Sequence, residues 1–208
     1  SFVFLDAKIA IVCRITIETG GNFRPKRWDF MTKKELRAAM KKRNLSLSSE
    51  ERDAASERIF GRVERLPGFS AARCAAFFCA LPDEPQTGAA LARWSAAKRI
   101  VVPRVEGDAM RFYDYAPGEL CRGAFGIAEP SVAERPCDPA EIDFIVVPGV
   151  AFTAAGARMG RGRGYYDKYL SQPGFRGVKA GVCYAHQLVV ELPVELHDVF
   201  MDYVVTND

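Results

Sequence analysis

The chain has 208 residues, 49% of them hydrophobic and 26% charged, which suits one domain or a domain with a small appendage. That composition excludes a disordered chain, a collagen-like repeat and a small disulfide scaffold as the main theme. Lys and Arg total 29 against 26 Asp and Glu, and a net charge of +3 is too weak to argue for nucleic acid, so no nucleic-acid partner is expected.

Residues 1–30 differ from the rest. A short apolar run, Ile9-Ala10-Ile11-Val12, precedes Thr16-Ile17 and Gly20-Gly21, and the polar stretch that follows carries Arg24, Lys26 and Arg27. A secretory signal has its positive charge before the apolar run, so this order does not fit one. Two readings stay open: an upstream extension ahead of a natural start at Met31, or an extra strand pair. Residues 31–208 then read as a single domain.

From Met31 onward the elements alternate. Thr32-Lys33-Lys34-Glu35 is a capping box that starts a helix, with Leu36 and Met40 on one face. Ser48-Ser49-Glu50-Glu51 is a second box. Ala55, Ile59, Val63 and Leu66 follow it at helical spacing until Pro67-Gly68 stops the helix. Cys74 to Ala80 is a compact apolar run ended by Pro82, which predicts a buried strand. Ala90, Leu91, Trp94 and Ala97 mark a third helix. Ile100-Val101-Val102 predicts a second strand and Met110 to Tyr115 a third. Pro117 to Pro139, rich in Gly, Pro and charge, reads as a long connecting region. Ile142 to Val147 is the clearest strand of all, and Val178 to Tyr184 and Tyr203 to Thr206 complete the set. Strands that alternate with helices, and that are apolar throughout, predict an α/β fold: a layered sandwich with a mostly parallel central sheet flanked by helices.

Chemistry collects after the clearest strand. Pro148-Gly149 leads into Arg158-Met159-Gly160-Arg161-Gly162-Arg163-Gly164-Tyr165-Tyr166-Asp167. Alternating glycines let backbone amides turn toward an anion and let it approach closely, and Arg supplies a fixed fork of donors for phosphate oxygens. No Gly-Lys-Ser/Thr follows, so this is not a Walker A loop, and Tyr165 stands where a dinucleotide fingerprint needs Gly. A phosphate-binding loop is the favoured reading over a basic surface loop. Of the six cysteines, at 13, 74, 79, 121, 137 and 183, no two form C-x-x-C, so reduced thiols and a cytoplasmic location are expected. His186 and His197 are the only histidines, which excludes a His-rich metal site. No stretch approaches the roughly 20 apolar residues of a membrane span, so no membrane association is expected.

The ten-residue segment from Arg158 to Asp167 resembles the R-L-G-x-G-x-G-Y-Y-D element of the 5-formyltetrahydrofolate cyclo-ligase (5,10-methenyltetrahydrofolate synthetase) family, with Met159 in place of the usual Leu. Other elements match in order. Lys33-Lys34-Glu35-Leu36-Arg37 resembles the family's opening K-x-x-L-R helix. Pro82-Asp83-Glu84 follows the first strand, where the family carries a substrate-contacting Glu, although Pro85-Gln86 departs from the acidic stretch that usually follows. Ile142 to Phe152 resembles the D-x-x-x-x-P-G-x-x-F strand and turn, and Leu192 to Asp198 the closing P-x-x-x-x-D segment.

The resemblance implies an ATP- and Mg²⁺-dependent ligase. Such an enzyme closes the N5-formyl group of 5-formyltetrahydrofolate onto N10 by phosphorylating the formyl oxygen, and releases ADP and phosphate. It implies an ATP site at Lys33, Lys34, Arg37 and the whole run Arg158, Met159, Gly160, Arg161, Gly162, Arg163, Gly164, Tyr165 and Tyr166. Arg161, Arg163 and Tyr165 would be catalytic. Folate contacts would come from Cys79, Glu84, Phe125, Gly164, Tyr165 and Tyr166, and metal contacts from Asp167 and Asp198. The expected partners are small-molecule substrates, and a monomer is expected. Two other classes stay in view: a folate- or RNA-binding module without turnover, and a different enzyme on the same layered fold, such as a sugar-phosphate isomerase or a CoA transferase.

Overall fold

A computed structural model of the chain describes residues 31–123, 126–131 and 135–208. The two readings of residues 1–30, and Phe125, lie outside the described residues.

Both capping boxes form. Helix α1 (Lys33–Leu45) starts where the Thr32 hydroxyl accepts from the Glu35 amide while the Glu35 carboxylate accepts from the Thr32 amide. Helix α2 (Ser49–Val63) starts in the same way at Ser48 and Glu51. Four orphan amides open every helix, and each box satisfies two of the donors there, which locates the start.

Strand β1 (Cys74–Ala76), helix α3 (Gly88–Ser95), β2 (Arg99–Glu106) and β3 (Ala109–Asp114) follow. After a short pair, β4 (Leu120–Arg122) and β5 (Ala128–Pro130), come β6 (Phe144–Pro148), β7 (Ala151–Thr153), β8 (Arg158–Met159), helix α4 (Tyr165–Leu170), β9 (Val178–Val182), β10 (Leu188–Val189) and β11 (Tyr203–Val205). The central sheet has the order β11-β9-β6-β1-β2-β3. Every neighbouring pair is parallel except β2 with β3. This is the layered, mostly parallel α/β architecture that the alternation predicts.

The continuous apolar strands have a direct cause: both faces of the sheet are covered. Phe144 and Val146 point to one side, where they pack with Ile59, Phe60 and Val63 of α2 and Trp94 of α3. Ile145 and Val147 point to the other, with Tyr169 and Leu170 of α4. Phe69, Phe77 and Trp94 pack tilted against one another, with ring centroids 4.7 Å apart for Phe69–Trp94 and for Phe77–Trp94.

Three features depart from the sequence reading. The apolar run from Cys74 holds a ladder only to Ala76. Beyond Phe77, whose amide still donates to the Val101 carbonyl at 2.9 Å, the chain leaves the sheet. There the Ala80 amide donates to Thr87 Oγ1 and the Leu81 amide to the Glu84 carboxylate, so side chains replace the ladder partner. The region 117–139, read as connection throughout, contains the antiparallel pair β4–β5. A second small sheet, in the order β10-β7-β8, has no counterpart in the reading. Its inner face, Val150, Ala151, Met159 and Val189, receives Leu36 and Met40 of α1. That contact brings α1 to the chain segment after β8.

Candidate active site

A cavity of about 1190 Å³ opens at the carboxyl ends of β1 and β6, where ligand sites of such sheets collect. Three chain regions build its polar end. The first is α1. Leu36, Met40 and Asn44 form its buried row, and the neighbouring row, Lys33, Arg37 and Lys41, lines the cavity. Residues four apart share a helix face, so three cations stand in line along one wall. Lys34 lies off that row, is exposed, and is not among the lining residues. Lys41 was not among the sequence candidates, yet the spacing from Lys33 through Arg37 points straight at it.

The second region is the Gly-Arg loop. The Arg37 Nε–H donates to the Gly160 carbonyl at 3.0 Å, which ties α1 to the loop. Gly162 has a φ of +98°, a left-handed backbone, and a Cβ there would sit 3.5 Å from the Arg37 guanidinium. Glycine thus permits the turn, while Arg37 passes at ordinary van der Waals distance. Gly164, at φ +69°, ends the loop and begins α4. Met159, Gly160, Arg161, Gly162, Arg163 and Gly164 all line the cavity, and Met159 also packs into the small-sheet core.

The two arginines nearest the sheet have different partners. Arg158 turns inward. Its side chain is 4% exposed, its Nη2 pairs with Asp167 Oδ2 at 2.8 Å, and its guanidinium lies 5.6 Å over the Tyr166 ring. Among the described residues its Nε has no partner. Arg161 reaches across the cavity instead. Its Nη2 donates to Asp83 Oδ1 and to Glu84 Oε1, both at 2.8 Å, and its Nε donates to Glu84 Oε1 at 3.0 Å. Burial opposes the charge on Arg161, and the two carboxylates more than restore it, so its pKa ends raised. Burial likewise pushes the Glu84 carboxyl up, with Arg161 pulling it partly back.

Asp83 and Glu84 are anchored from behind. The Tyr184 hydroxyl donates to the Glu84 carbonyl at 3.0 Å, and Asn44 Nδ2 donates to the Asp83 carbonyl at 2.9 Å. Asn44 Oδ1 faces His186 Nε2 at 2.5 Å. Because the Asn44 amide nitrogen is donating, its oxygen accepts, and His186 must carry its proton on Nε2. Burial, then Arg43, pull the His186 pKa from 6.5 to about 4, so the ring is neutral in the native state. Between these two values the unfolded chain binds a proton that the folded chain refuses. Stability therefore falls as pH drops from about 6.5 toward 4. His186→Gln removes that proton uptake and keeps an amide donor for Asn44, so its melting temperature should fall less steeply over this range. Thermal melts at stepped pH check this; slopes identical to the wild type would contradict it.

The third region carries the carboxylates at the far side of the loop. Asp167 and Asp198 both line the cavity. The Val199 amide donates to Asp167 Oδ1 at 3.5 Å, which brings the Asp198 segment against α4. Asp198 Oδ2 accepts from the Glu195 amide at 2.7 Å, and Glu195 pairs with Lys33 at 2.6 Å. Among the described residues no group of three or more His, Cys, Asp or Glu side chains is assembled to hold a metal. Two carboxylates alone fit a Mg²⁺ ion that takes its other oxygens from phosphate and water, the usual pattern for that cation.

The opposite end of the cavity is apolar, walled by Phe78, Cys79, Pro103, Val105, Met110 and Ile127. Burial pushes the Cys79 thiol up to about 11, with Glu129 adding to it. A neutral thiol is a contact surface, not a nucleophile. Tyr165 and Tyr166 line the cavity too; the Tyr165 hydroxyl donates to the Gly107 carbonyl at 3.3 Å, and burial holds the Tyr166 phenol well above its ordinary value. The cavity thus has a polyanion end and a flat apolar end, joined at Arg161 and Glu84.

The model of the 5-formyltetrahydrofolate cyclo-ligase family matches residues 29–207. The 5-formyltetrahydrofolate cyclo-ligase of Mycolicibacterium smegmatis is 30% identical over 84% of this chain and 93% of its own length. The Escherichia coli protein of the same name is 30% identical over 80% of this chain and 96% of its own. The solved structure of Aquifex aeolicus 5,10-methenyltetrahydrofolate synthetase superposes with a TM-score of 0.76 at 36% identity, covering 85% of this chain and 90% of that one.

Proposed function

Because the chain belongs to the 5-formyltetrahydrofolate cyclo-ligase family, we propose that it uses ATP to close 5-formyltetrahydrofolate to 5,10-methenyltetrahydrofolate, releasing ADP and phosphate. The observation that carries the reading is the two-ended cavity. A cationic row and a glycine loop suit a triphosphate, and an apolar wall beside them suits a flat heterocycle.

The chemical problem is a poor electrophile with a poor leaving group. The formyl oxygen attacks the γ-phosphorus and ADP departs. N10 then attacks the activated carbon, the N10 proton is lost, and the C–O bond breaks with phosphate as the leaving group. The protein's part is positioning and charge neutralisation. Lys33, Arg37 and Lys41 face the triphosphate from one side, and Arg161, Arg163 and the amides of Gly160 to Gly164 face it from the other. Asp167 and Asp198 would hold Mg²⁺, which supplies charge neutralisation at the phosphates. Arg158 keeps the Asp167 carboxylate in position through its buried pair. Arg161 stands between nucleotide and folate, and Glu84, fixed by Arg161 and the Leu81 amide, orients N10. Tyr165, Tyr166 and Cys79 border the folate, and Gly164 lets it approach the loop.

A coupled ADP-release assay with and without 5-formyltetrahydrofolate tests the proposal, with the ultraviolet absorbance of the methenyl product read in parallel. Folate-dependent release of ADP in step with product is expected. Turnover without ATP, or ATP hydrolysis indifferent to the folate, would overturn it. Among the described residues no helix is long and apolar enough to cross a membrane.

A further inference from the structure

Among the described residues two carboxylates on the cavity wall pair with no Lys or Arg: Asp198, which caps the Glu195 amide, and the deeply buried Glu129. Asp83 and Glu84 pair with Arg161, Asp167 with Arg158 and Glu195 with Lys33. Glu129, in β5, is 5% exposed and lines the apolar end of the cavity. Its Oε1 accepts one long hydrogen bond, 3.3 Å from the Val105 amide. Among the described residues no Lys or Arg pairs with it, and its Oε2 has no donor. The space it occupies is made by Gly123, where a Cβ would sit 2.1 Å from Oε2. A nearly buried carboxylate with unfilled acceptor positions is costly unless a ligand completes it.

The ligand that completes it must bring neighbouring N–H donors on the edge of a flat ring, because the surrounding wall is apolar. The amino group and adjacent ring N–H of a 2-amino-4-oxopyrimidine are such a pair, and a carboxylate accepts two parallel N–H bonds with good geometry. Resting on the cyclo-ligase reading, we infer that Glu129 anchors the aminopyrimidinone edge of the pteridine and thereby sets which ring system the site accepts. Glu84 is unsuited to that edge. Arg161 holds its Oε1 and the Leu81 amide its Oε2, so it serves the N10 side instead. Cys79 shares the apolar end with Glu129: Glu129 acts on its thiol, and Cys79 in turn acts on the Tyr166 phenol, as Glu84 does.

The test is equilibrium binding to the full chain, by titration calorimetry in the presence of a non-hydrolysable ATP analogue. The probes are 5-formyltetrahydrofolate and its analogue with methyl in place of the 2-amino group. Wild type should prefer the amino compound by roughly 10- to 100-fold, the usual worth of a hydrogen bond to a charged group. In Glu129→Gln that preference should collapse, with folate affinity down by a similar factor and affinity for the ATP analogue unchanged. Gly123→Ala, which displaces the carboxylate without altering any charge, should give the same pattern and carries the test if Glu129→Gln melts early. Wild type that converts the folate while both variants keep wild-type folate affinity, or keep the amino preference, overturns the anchor alone. Wild type that binds no reduced folate overturns the cyclo-ligase reading and the anchor with it.

Discussion

Arg161→Ala is expected to lower kcat/KM by about 10³, and to do so for both substrates. The guanidinium makes three hydrogen bonds to two carboxylates whose side chains are only 9% and 8% exposed. Without it, Asp83 and Glu84 stand side by side with no counter-charge. Glu84 is already raised by burial, and Arg161 is the largest influence holding it down. In the variant it takes up a proton at a higher pH than in the wild type. The acid limb of the pH–rate profile should therefore move to higher pH, together with a loss of nucleotide affinity. Arg163→Ala is the contrast. Arg163 is an exposed loop residue on the cavity wall, and its loss should weaken the nucleotide while leaving the acid limb in position. Steady-state kinetics with each substrate varied across pH separate the two. An Arg161→Ala enzyme with an unmoved acid limb and an unchanged folate KM would refute the bridging role.

Asp167→Asn should act on stability and metal use together. Its carboxylate is half of a buried pair with Arg158, and Arg158 already has one guanidinium N–H without a partner among the described residues. Removing one member of such a pair costs about 3–5 kcal/mol, with the low end expected here because Asn keeps an acceptor oxygen. The Mg²⁺ concentration for half-maximal rate should rise by about tenfold or more, and kcat should fall by about 10². Asp198→Asn separates the two effects. Asp198 caps the Glu195 amide and, among the described residues, pairs with no Arg or Lys, so its substitution should raise the Mg²⁺ requirement with a much smaller drop in melting temperature. Metal titrations and melts on the two variants check this. Unchanged Mg²⁺ dependence in both would remove these carboxylates from the metal site.

The sequence carries the local parts of this structure well. Thr32 with Glu35 and Ser48 with Glu51 locate two helix starts because the capping atoms lie within four residues of each other. Ile142 to Val147 reads as a strand because each of its faces must be apolar in a covered sheet. Strands β7, β8 and β10 are not legible. They are two or three residues long and exist through distant partners, such as Leu188 beside Phe152. The β4–β5 pair is hidden for a related reason, since Arg122 and Glu129 interrupt any apolar pattern.

For the site, the Gly-Arg loop is visible in residue types alone, and its departure from a strand follows from its glycines. Which way each arginine turns is not visible. Arg161 finds its carboxylates 77 and 78 residues away, and Arg158 folds back on a helix that begins after the loop. Charge pairs of that separation leave no periodic trace. Lys41 is the exception, since the i, i+4 rule reaches it. Glu129 has no such signal; it becomes notable only once the fold buries it with no Lys or Arg paired to it among the described residues.

The strand order has a kinetic consequence. The first strand lies inside the sheet between β6 and β2, and the last closes one edge on β9. Nearly all neighbours are parallel, so each pairing needs a long loop closed before it returns any free energy, and such topologies fold slowly. The cavity wall runs from Lys33 to Asp198, which spans almost that whole sequence of closures. No partly assembled form of the chain owns a complete set of cations, so a ligand seated there rewards only the finished state and adds RT ln(1 + [L]/Kd) to its stability alone. Occupancy should therefore protect the enzyme from unfolding and proteolysis without hastening its birth.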